Sequence, residues 1–321
     1  MSRIVVFGAT GFIGRHFIRE VDGDSIFPVT RCINKVFPAD CSGKNWLVAD
    51  LLNQHSIDHI LTPGSTVVNL AYSWSSSPED NITMVRNLVQ SSLRRKVSRF
   101  VHCSTAVLVG ENPSSVVDEN TKCLPVTPYE KTKCQIESLL LDKATNDFKI
   151  YILRPTRVIG PGGENLKKLI FEILEGTSVA NYIRSSIFGK RSMNLVAVKT
   201  VVGALQHLCK QSPLEPGIYI CSADDDPGNQ YDKIESTIRE LLEKQAKIKP
   251  IPLPIQILKV MLRFSRSGSG RFANRYYSSG KLFHTGFQRK ESVERAVREF
   301  VLSEARSLTR INFSANNCLP L

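Results

Sequence analysis

The stretch GATGFIG, Gly8 to Gly14, decides the fold. Its glycines lie three residues apart, directly after the apolar run Ile4 to Phe7 and before apolar residues at helical spacing. In such a strand–turn–helix unit Gly8 permits the tight turn, Gly11 lets the backbone approach a pyrophosphate, and Gly14 lets the helix pack closely on the sheet. The N–H groups at the helix N-terminus then face the phosphates. The stretch therefore predicts a dinucleotide-binding unit at the start of the chain.

The first two thirds of the chain alternate short apolar runs with helical patterns, which predicts parallel strands joined by crossover helices. The predicted strands are Ile4 to Phe7, Ile26 to Val29, Trp46 to Val48, Thr66 to Leu70, Phe100 to Cys103 and Ile150 to Leu153. Helices are predicted over Ile82 to Leu93 and Glu130 to Lys143. The fold class is α/β, a doubly wound parallel sheet of the Rossmann type with a smaller C-terminal substrate-binding domain.

The pattern loosens after Pro155, and this change sets the expected domain boundaries. A strand over Asn194 to Val198 is expected to return to the main sheet, followed by a helix over Val201 to Cys209. The expected divisions are a dinucleotide-binding domain at 1–157 with a returning segment near 193–218, a substrate-binding domain at 158–192 and 219–310, and a tail at 311–321.

Composition excludes several classes of protein. Hydrophobic residues make up 42% and charged residues 22% of the 321 residues, which is typical of a globular chain. The eight cysteines form neither a CxxC pair nor a zinc pattern, so we expect reduced thiols and no metal site. No apolar stretch reaches the ~18 residues that an integral membrane segment needs. Because the chain runs directly into a strand, we expect no signal peptide and a cytoplasmic location.

The formal net charge of +12 points to an anionic partner. No recognised nucleic-acid motif or array of stacking aromatic residues is present, so we expect no nucleic-acid partner. A basic cleft for an anionic cofactor and substrate is the favoured interpretation. An anionic membrane surface and a generally basic, solvated surface remain alternatives.

The end of the second strand bears on the choice of cofactor. NAD-binding folds place an acidic residue there to bind the ribose 2′-hydroxyl, but here the strand ends at Thr30 and Arg31. An arginine suits a 2′-phosphate, because its planar guanidinium binds phosphate through two hydrogen bonds. The sequence therefore favours NADP, with NAD as the alternative.

The segment YEKTK, Tyr129 to Lys133, carries candidate acid–base chemistry. Residues four apart share one face of a helix. A lysine ammonium close to a tyrosine stabilises the phenolate and should lower the phenol pKa. Such a tyrosine can exchange a proton with a substrate hydroxyl or carbonyl while hydride moves to or from a nicotinamide.

The segment HCSTAVLVG, His102 to Gly110, places two hydroxyls where the fifth strand ends. Ligands bind at the carboxyl edge of open α/β sheets. The hydroxyls of Ser104 and Thr105 could therefore donate to a carbonyl oxygen that becomes alkoxide-like during reduction. Capping of the strand end is the alternative for both residues, and His102 is expected to be a packed histidine.

Taken together, these segments resemble the extended short-chain dehydrogenase/reductase family, which includes nucleotide-sugar epimerases, dehydratases and reductases. The resemblance covers the first half of the chain closely. The matching segments are GATGFIG, VADL (Val48 to Leu51), VVNLA (Val67 to Ala71), STAVLVG (Ser104 to Gly110), YEKTK and LRPTRVIGPGG (Leu153 to Gly163).

The resemblance implies a role for each matched position. Thr105, Tyr129 and Lys133 would be catalytic, and Lys133 would also hold the nicotinamide ribose. The implied cofactor-binding residues are Gly8, Thr10, Gly11, Phe12, Ile13, Gly14, Arg31, Asp50, Leu51, Leu70, Ala71, Lys133 and Pro155. The implied substrate-binding residues are Ser104, Arg157, Asn165, Arg191 and Arg275, and Arg271 and Lys281 occupy the same basic region as Arg275.

The chain also departs from the family pattern. Sugar-nucleotide dehydratases typically place Asp-Glu after the catalytic threonine, whereas Ala106 and Val107 follow here, which disfavours dehydration. Val109 replaces the usual tyrosine before Gly110, and Arg157 stands where epimerases often have asparagine. The segment Met193 to Thr200 only partly matches the later family motif.

The resemblance implies an NAD(P)-dependent oxidoreductase acting on a nucleotide-activated sugar, by 4-keto reduction or 4-epimerisation. NADP use would favour reduction, because NADPH is a net donor. A non-catalytic dinucleotide-binding regulator and a reductase of a non-sugar carbonyl compound remain alternatives. The family often forms homodimers through two helices per subunit, which here would be Ile82 to Leu93 and Glu130 to Lys143.

Overall fold

The chain folds into alternating strands and helices, which the computed structural model describes over residues 3–21, 25–32, 43–210, 214–244, 251 and 274–316. The strands are β1 Ile4–Phe7, β2 Ile26–Thr30, β3 Leu47–Val48, β4 Thr66–Asn69, β5 Arg99–Cys103, β6 Val116–Val117, β7 Lys149–Pro155, β8 Arg157–Ile159, β9 Leu195–Ala197, β10 Gly217–Cys221 and β11 Tyr276–Tyr277. The helices are α1 Phe12–Glu20, α2 Gln54–Ile60, α3 Pro78–Arg94, α4 Pro128–Leu141, α5 Lys167–Glu175, α6 Ser178–Phe188, α7 Val198–Lys210, α8 Tyr231–Leu241, α9 Gly280–His284 and α10 Val293–Asn316, with a short 3₁₀ turn at Ala106–Val109.

The main sheet has seven parallel strands in the order β3-β2-β1-β4-β5-β7-β10. The chain builds outward from β1 to β3 and then crosses back to β4 on the other side of β1. This reversal opens a crevice at the carboxyl ends of β1 and β4, where open α/β sheets bind ligands. All six strands that the sequence predicts through Leu153 are confirmed, within two residues at each end.

Helices cover both faces of the sheet. On one face α2, α3 and α4 bury apolar side chains such as Ile57, Leu88 and Ile136. The other face buries Phe17 of α1 and Val202 of α7 in a second core, which α10 also joins. A sheet that is buried on both faces needs near-continuous apolar strands, which explains runs such as Ile150 to Leu153 in β7. The doubly wound α/β fold is therefore confirmed.

The predicted return of residues 194–198 to the main sheet is wrong. Strand β9 pairs with β8 in a separate two-stranded sheet, in which Arg157 lies opposite Leu195. The seventh strand of the main sheet is β10, which pairs with β7. Both β9 and the end of β10 are fully buried, so an apolar run alone does not distinguish which sheet each strand joins.

The last helix is longer than the sequence predicts. Helix α10 extends to Asn316, past residue 311 where we expected a tail to begin. No helix among the residues that the structure describes is long and apolar enough to cross a bilayer. The division into two domains at residue 157 stays a prediction.

Candidate active site

The glycine-rich turn brings the N-terminus of α1 to the carboxyl edge of the sheet. Gly8 has φ +76°, and a Cβ there would lie 2.6 Å from the amide nitrogen of Ala71. A Cβ at Gly14 would lie 2.2 Å from the carbonyl oxygen of Gly8, so only glycine permits the close approach of α1 to the turn. Gly11 is exposed and donates its N–H to the Gly8 carbonyl at 3.0 Å. The predicted geometry of the turn is therefore present.

The expected cofactor residues Leu70 and Ala71 lie directly against this turn. A Cβ at Gly8 would touch the carbonyl carbon of Leu70 as well as Ala71. The amide of Ala71 donates to the side-chain oxygen of buried Asn69 at 3.1 Å, which fixes the end of β4. The turn after β1 and the end of β4 thus form the two walls of the crevice.

The segment after β8 covers the start of α1. The His16 ring nitrogen Nε2 lies 2.9 Å from the carbonyl oxygen of Pro161. A Cβ at Gly163 would lie 3.0 Å from the Phe12 ring, and the half-buried Ile13 follows Phe12. His16 therefore joins the GPGG turn, Gly160 to Gly163, to the first helix, a contact that the sequence motifs do not predict.

The residues expected on the adenine side lie along the ends of β2 and β3. Arg31 is exposed immediately after β2, and Asp50 is exposed after β3. The Asp50 carboxylate accepts the amide of Leu52 at 3.0 Å, and the Leu51 carbonyl accepts the Asn87 side chain at 2.9 Å. Because Thr30 lies opposite Val48 in the sheet, the structure brings these positions to one edge.

Thr105 and Tyr129 meet at the neighbouring edge, beyond β5. The Thr105 hydroxyl accepts the amide of Val107 at 3.3 Å and lies close enough to the Tyr129 phenol to influence its pKa. Tyr129 occupies the first turn of α4, where Thr127 and Glu130 form a reciprocal capping box. The cap fixes where α4 begins, and the start of α4 places the phenol at Thr105.

Lys133 lies one turn further along α4 and is only 4% exposed. Its ammonium donates to the carbonyl oxygen of Cys103 at 3.2 Å and lies 4.9 Å from the centre of the Tyr72 ring. Burial lowers the pKa of Lys133. The structure thus brings Thr105, Tyr129 and Lys133 together at the end of β5.

The pKa of Tyr129 shifts in the opposite direction to our expectation. Burial raises it, and electrostatic interactions with the Cys103 and Tyr72 side chains add to this rise, whereas the interaction with the Thr105 hydroxyl lowers it. The phenol is therefore protonated at neutral pH. Lys133, whose ammonium we expected to stabilise the phenolate, is not among the groups that shift this pKa, and its ammonium donates to the Cys103 carbonyl instead.

Several polar side-chain atoms at this edge are buried without a hydrogen-bond partner among the described residues. They include Ser104 Oγ at the end of β5, Thr156 Oγ1 just after β7 and His102 Nε2 within β5. An unsatisfied buried hydroxyl costs ~1–3 kcal/mol, so a polar ligand that reached Ser104 or Thr156 would remove this cost. His102, in contrast, is the packed residue we expected, since its Nδ1 pairs with the Asn69 amide at 3.2 Å.

A buried ion pair holds α4 against β7. The Arg154 guanidinium donates to both oxygens of Glu137, with Nε 3.1 Å from each of them. The two side chains are 5% and 4% exposed. Glu137 lies on α4 one turn beyond Lys133, so the pair fixes the helix that carries the Tyr–Lys face. Pro155, an expected cofactor residue, follows Arg154 and lies opposite Cys221.

The expected substrate residues differ in their exposure to solvent. Arg157 is exposed on β8. The side-chain amide of Asn165 donates to the carbonyl of Val158 at 2.7 Å, which anchors the loop between Val158 and Asn165. Arg191 is half-buried with its guanidinium 5.9 Å from the Phe188 ring, and partial burial lowers its pKa.

The guanidinium of Arg275 is engaged by main-chain carbonyl groups. Its two terminal nitrogens donate to the carbonyls of Gly110 and Asn112, and it is 9% exposed. The geometry favours a role in holding the loop after Thr105 over the substrate contact that we expected. Lys281 likewise donates to the carbonyl of Ile218 at 2.8 Å. Arg271 lies outside the described residues.

An aromatic cluster next to Tyr129 was not identified from the sequence. Trp74 stacks on the Tyr129 ring with centres 4.8 Å apart and planes 25° apart. Tyr72 meets the Tyr129 ring edge-on at 5.1 Å. The available signal is the run AYSW, which follows β4 directly and therefore falls at the carboxyl edge of the sheet.

Comparison with known proteins places this arrangement in a family. The profile of the NAD dependent epimerase/dehydratase family matches residues 4–220. The chain belongs to this family. The match spans the glycine turn, the end of β5 and the Tyr–Lys helix, so the resemblance drawn from the motifs is confirmed.

Curated members of the epimerase/dehydratase family match the chain at low identity. It is 26% identical over 183 residues to the dTDP-glucose 4,6-dehydratase of Streptomyces niveus, covering 50% of this chain and 54% of the relative. It is 27% identical over 169 residues to sterol demethylase protein B of Methylococcus capsulatus, covering 49% and 52%. It is 25% identical over 183 residues to the UDP-glucose 4-epimerase of Lactobacillus helveticus, covering 50% and 53%. The chain thus spans about half the length of these relatives.

Solved structures of the family share the fold over nearly the whole chain. The UDP-Glc/GlcNAc 4-epimerase of Campylobacter jejuni superposes with a TM-score of 0.71, covering 95% of this chain and 100% of its own, at 18% identity. At this identity the likeness establishes the fold alone. It includes the region after β7, where the motifs are weak.

Among the described residues no group of His, Cys, Asp and Glu side chains could hold a metal ion.

Proposed function

We propose that the protein is an NAD(P)-dependent oxidoreductase that acts on a nucleotide-activated sugar, by 4-keto reduction or 4-epimerisation. The juxtaposition of Tyr129 with Thr105 and buried Lys133 at the carboxyl edge of the sheet carries this proposal. A regulator that only senses a dinucleotide has no need of all three side chains. Relatives described as UDP-glucose 4-epimerase and dTDP-glucose 4,6-dehydratase support the substrate class.

The cofactor would lie along the walls already described. The turn Gly8 to Gly14 would face the pyrophosphate, Leu70 and Ala71 would line the crevice, and Ser104 would offer its unpartnered hydroxyl to the substrate beside the nicotinamide. When bound, the nicotinamide supplies the centre that donates or accepts hydride. Arg31, exposed after β2, would bind a 2′-phosphate and favour NADP.

Tyr129 would transfer the proton. Its raised pKa keeps the phenol protonated, which suits donation from Oη to a substrate carbonyl oxygen during reduction. Thr105, which lies beside the phenol, would hold the same oxygen. Lys133 would keep the phenol and the ribose of the cofactor in place.

Dehydration is not proposed. Ala106 is 1% exposed and Val107 carries no acid, so the two positions after Thr105 offer no group to expel water from a sugar. The match to a dehydratase therefore supports the fold and the nucleotide-sugar class rather than its reaction.

A second candidate substrate is a non-sugar carbonyl compound. The match to sterol demethylase protein B and the engagement of Arg275 with main-chain carbonyls both favour it, because a diphosphate then has one cationic partner fewer. Both substrate classes use the same Tyr129 chemistry.

A substrate panel distinguishes these candidates. The protein would be incubated with UDP-, dTDP- and GDP-hexoses, their 4-keto forms and a set of ketosteroids, each with NADPH or NADP⁺. Loss of NADPH absorbance with a 4-keto sugar supports the reductase, and an inverted sugar without net cofactor use supports the epimerase. Turnover of ketosteroids alone, or no turnover despite tight cofactor binding, would refute the proposal.

We also propose that the protein forms a homodimer through α3 and α4. These helices lie side by side on one face of the sheet, and each leaves a leucine partly exposed near its end, Leu93 and Leu141. Sedimentation equilibrium should give twice the 35.9 kDa chain mass. A monomer at micromolar concentration would contradict it.

A further inference from the structure

Trp74 is an exposed aromatic residue at the candidate catalytic site. It has 78% of its surface in solvent, although it stacks on the Tyr129 ring and meets the Tyr72 ring at 5.0 Å. One face of the indole is therefore covered by the phenol, while the rest remains open. A tryptophan this exposed leaves a large apolar surface in water, which is costly unless a ligand covers it.

The loop that carries Trp74 is held in one conformation. The side chain of Asn81, which is 2% exposed, accepts the amide of Ser73 at 2.9 Å and donates to the Ser73 carbonyl at 2.9 Å. The Ser76 hydroxyl adds a 2.7 Å bond to the Ser73 hydroxyl, and Ser77 caps α3. These hydrogen bonds fix the turn that places Trp74 next to Tyr129.

The position of Trp74 limits what can cover it. A substrate oxygen that exchanges a proton with the Tyr129 phenol must come within ~2.6–3.2 Å of Oη. The ring that bears this oxygen then lies beside the phenol and next to the indole stacked on it. The C–H groups of a pyranose form an apolar face, and an aromatic ring is a favourable surface for such a face to pack on.

We propose that Trp74 is a substrate-binding residue, whose solvent-facing indole surface packs against the C–H face of the pyranose ring while Tyr129 contacts the reacting oxygen. This proposal rests on the proposed function and names the part of the nucleotide sugar that the residue recognises. It predicts that the sugar, and neither the nucleotide nor the cofactor, changes the surroundings of Trp74.

Tryptophan fluorescence tests this directly, because the chain has two tryptophans, Trp46 and Trp74. The Trp46→Phe protein leaves Trp74 as the single reporter. With NADP⁺ present, titration with UDP-, dTDP- and GDP-hexoses should shift or quench its emission for the hexose that calorimetry shows to bind. The matching nucleoside diphosphate without the sugar should leave the emission unchanged.

Kinetics on that hexose supply the second measurement. Trp74→Ala should raise KM about tenfold, as the loss of one aromatic contact predicts, with little change in cofactor affinity, and Trp74→Phe should recover most of the loss. Phe171→Ala removes another exposed aromatic side chain, on α5, and should match the wild type.

The outcomes separate this proposal from the proposed function. A hexose nucleotide that binds without changing Trp74 emission, or a Trp74→Ala protein with wild-type KM, overturns the role of Trp74 alone. An emission change that the cofactor or the bare nucleotide produces in full also overturns it. A Trp74→Ala protein with an altered pH profile but normal KM assigns the residue to covering Tyr129 instead. If no hexose nucleotide binds to the unmodified protein, both proposals fail.

Discussion

Replacing Glu137 by glutamine should destabilise the protein strongly, because it removes one half of a buried ion pair. Nε of Arg154 contacts both carboxylate oxygens at 3.1 Å, and Nη2 contacts one of them at 2.5 Å. Glutamine keeps the shape but offers a single neutral acceptor to a guanidinium that is 5% exposed. Removing one partner of such a pair lowers the free energy of unfolding by ~3–5 kcal/mol. Because glutamine keeps one acceptor for the guanidinium, we expect a loss near ~3 kcal/mol.

Urea unfolding followed by circular dichroism measures this loss. The double variant Glu137→Leu with Arg154→Met should recover most of the free energy of unfolding, because it leaves no unpaired buried charge. Asp58→Asn is the matched control, since its partner Arg94 is 50% exposed and a surface pair contributes ~0–1 kcal/mol. A Glu137→Gln protein no less stable than the Asp58→Asn protein would refute the reasoning.

Three further predictions follow from the site. Gly11→Val should abolish NADP⁺ binding in calorimetry while the fold survives, because a Cβ there meets only the Gly8 carbonyl at 3.2 Å; unchanged affinity would contradict the site. Arg31→Ala should lower the preference for NADP⁺ over NAD⁺ by ~1.5–3 kcal/mol, and a wild-type preference for NAD⁺ would show the assignment to be wrong. Burial holds the pKa of His102 well below 6.5, so the unfolded chain takes up this proton first as pH falls and stability decreases. The free energy of unfolding should therefore fall by up to ~1.4 kcal/mol per unit between pH 6.5 and 5.5 from this residue, and less steeply in His102→Asn; equal slopes would exclude this contribution.

The sequence predicts those features that local rules determine. Gly8 and Gly14 can be assigned because a positive φ and a close approach of backbone tolerate only glycine. Tyr129 and Lys133 can be assigned because helical spacing places them on one face, and the capping residue Thr127 begins that helix. These features need only neighbouring residues to define them.

The remaining features depend on contacts between distant segments. The carbonyl groups of Gly110 and Asn112, to which Arg275 donates, lie more than 160 residues away in the sequence. The sequence therefore does not reveal that the Arg275 guanidinium binds main-chain carbonyls. The pKa of Tyr129 rises because tertiary packing buries the phenol, and Lys133, to which the spacing points, is not among the groups that shift it. Trp74 becomes a candidate only when the fold places it on the Tyr129 ring.

The most direct test of the central claim is the rate of hydride transfer in the Tyr129→Phe protein, followed in a single turnover on a substrate found in the panel. The change removes only the phenol oxygen, so cofactor affinity and the free energy of unfolding should stay within error of the wild type. Lys133→Met should also slow the step and, unlike Tyr129→Phe, weaken cofactor binding. Because proton transfer by a positioned side chain contributes ~10²–10⁴-fold, the account predicts a Tyr129→Phe rate reduced by that factor. A Tyr129→Phe protein that transfers hydride at the wild-type rate would contradict it.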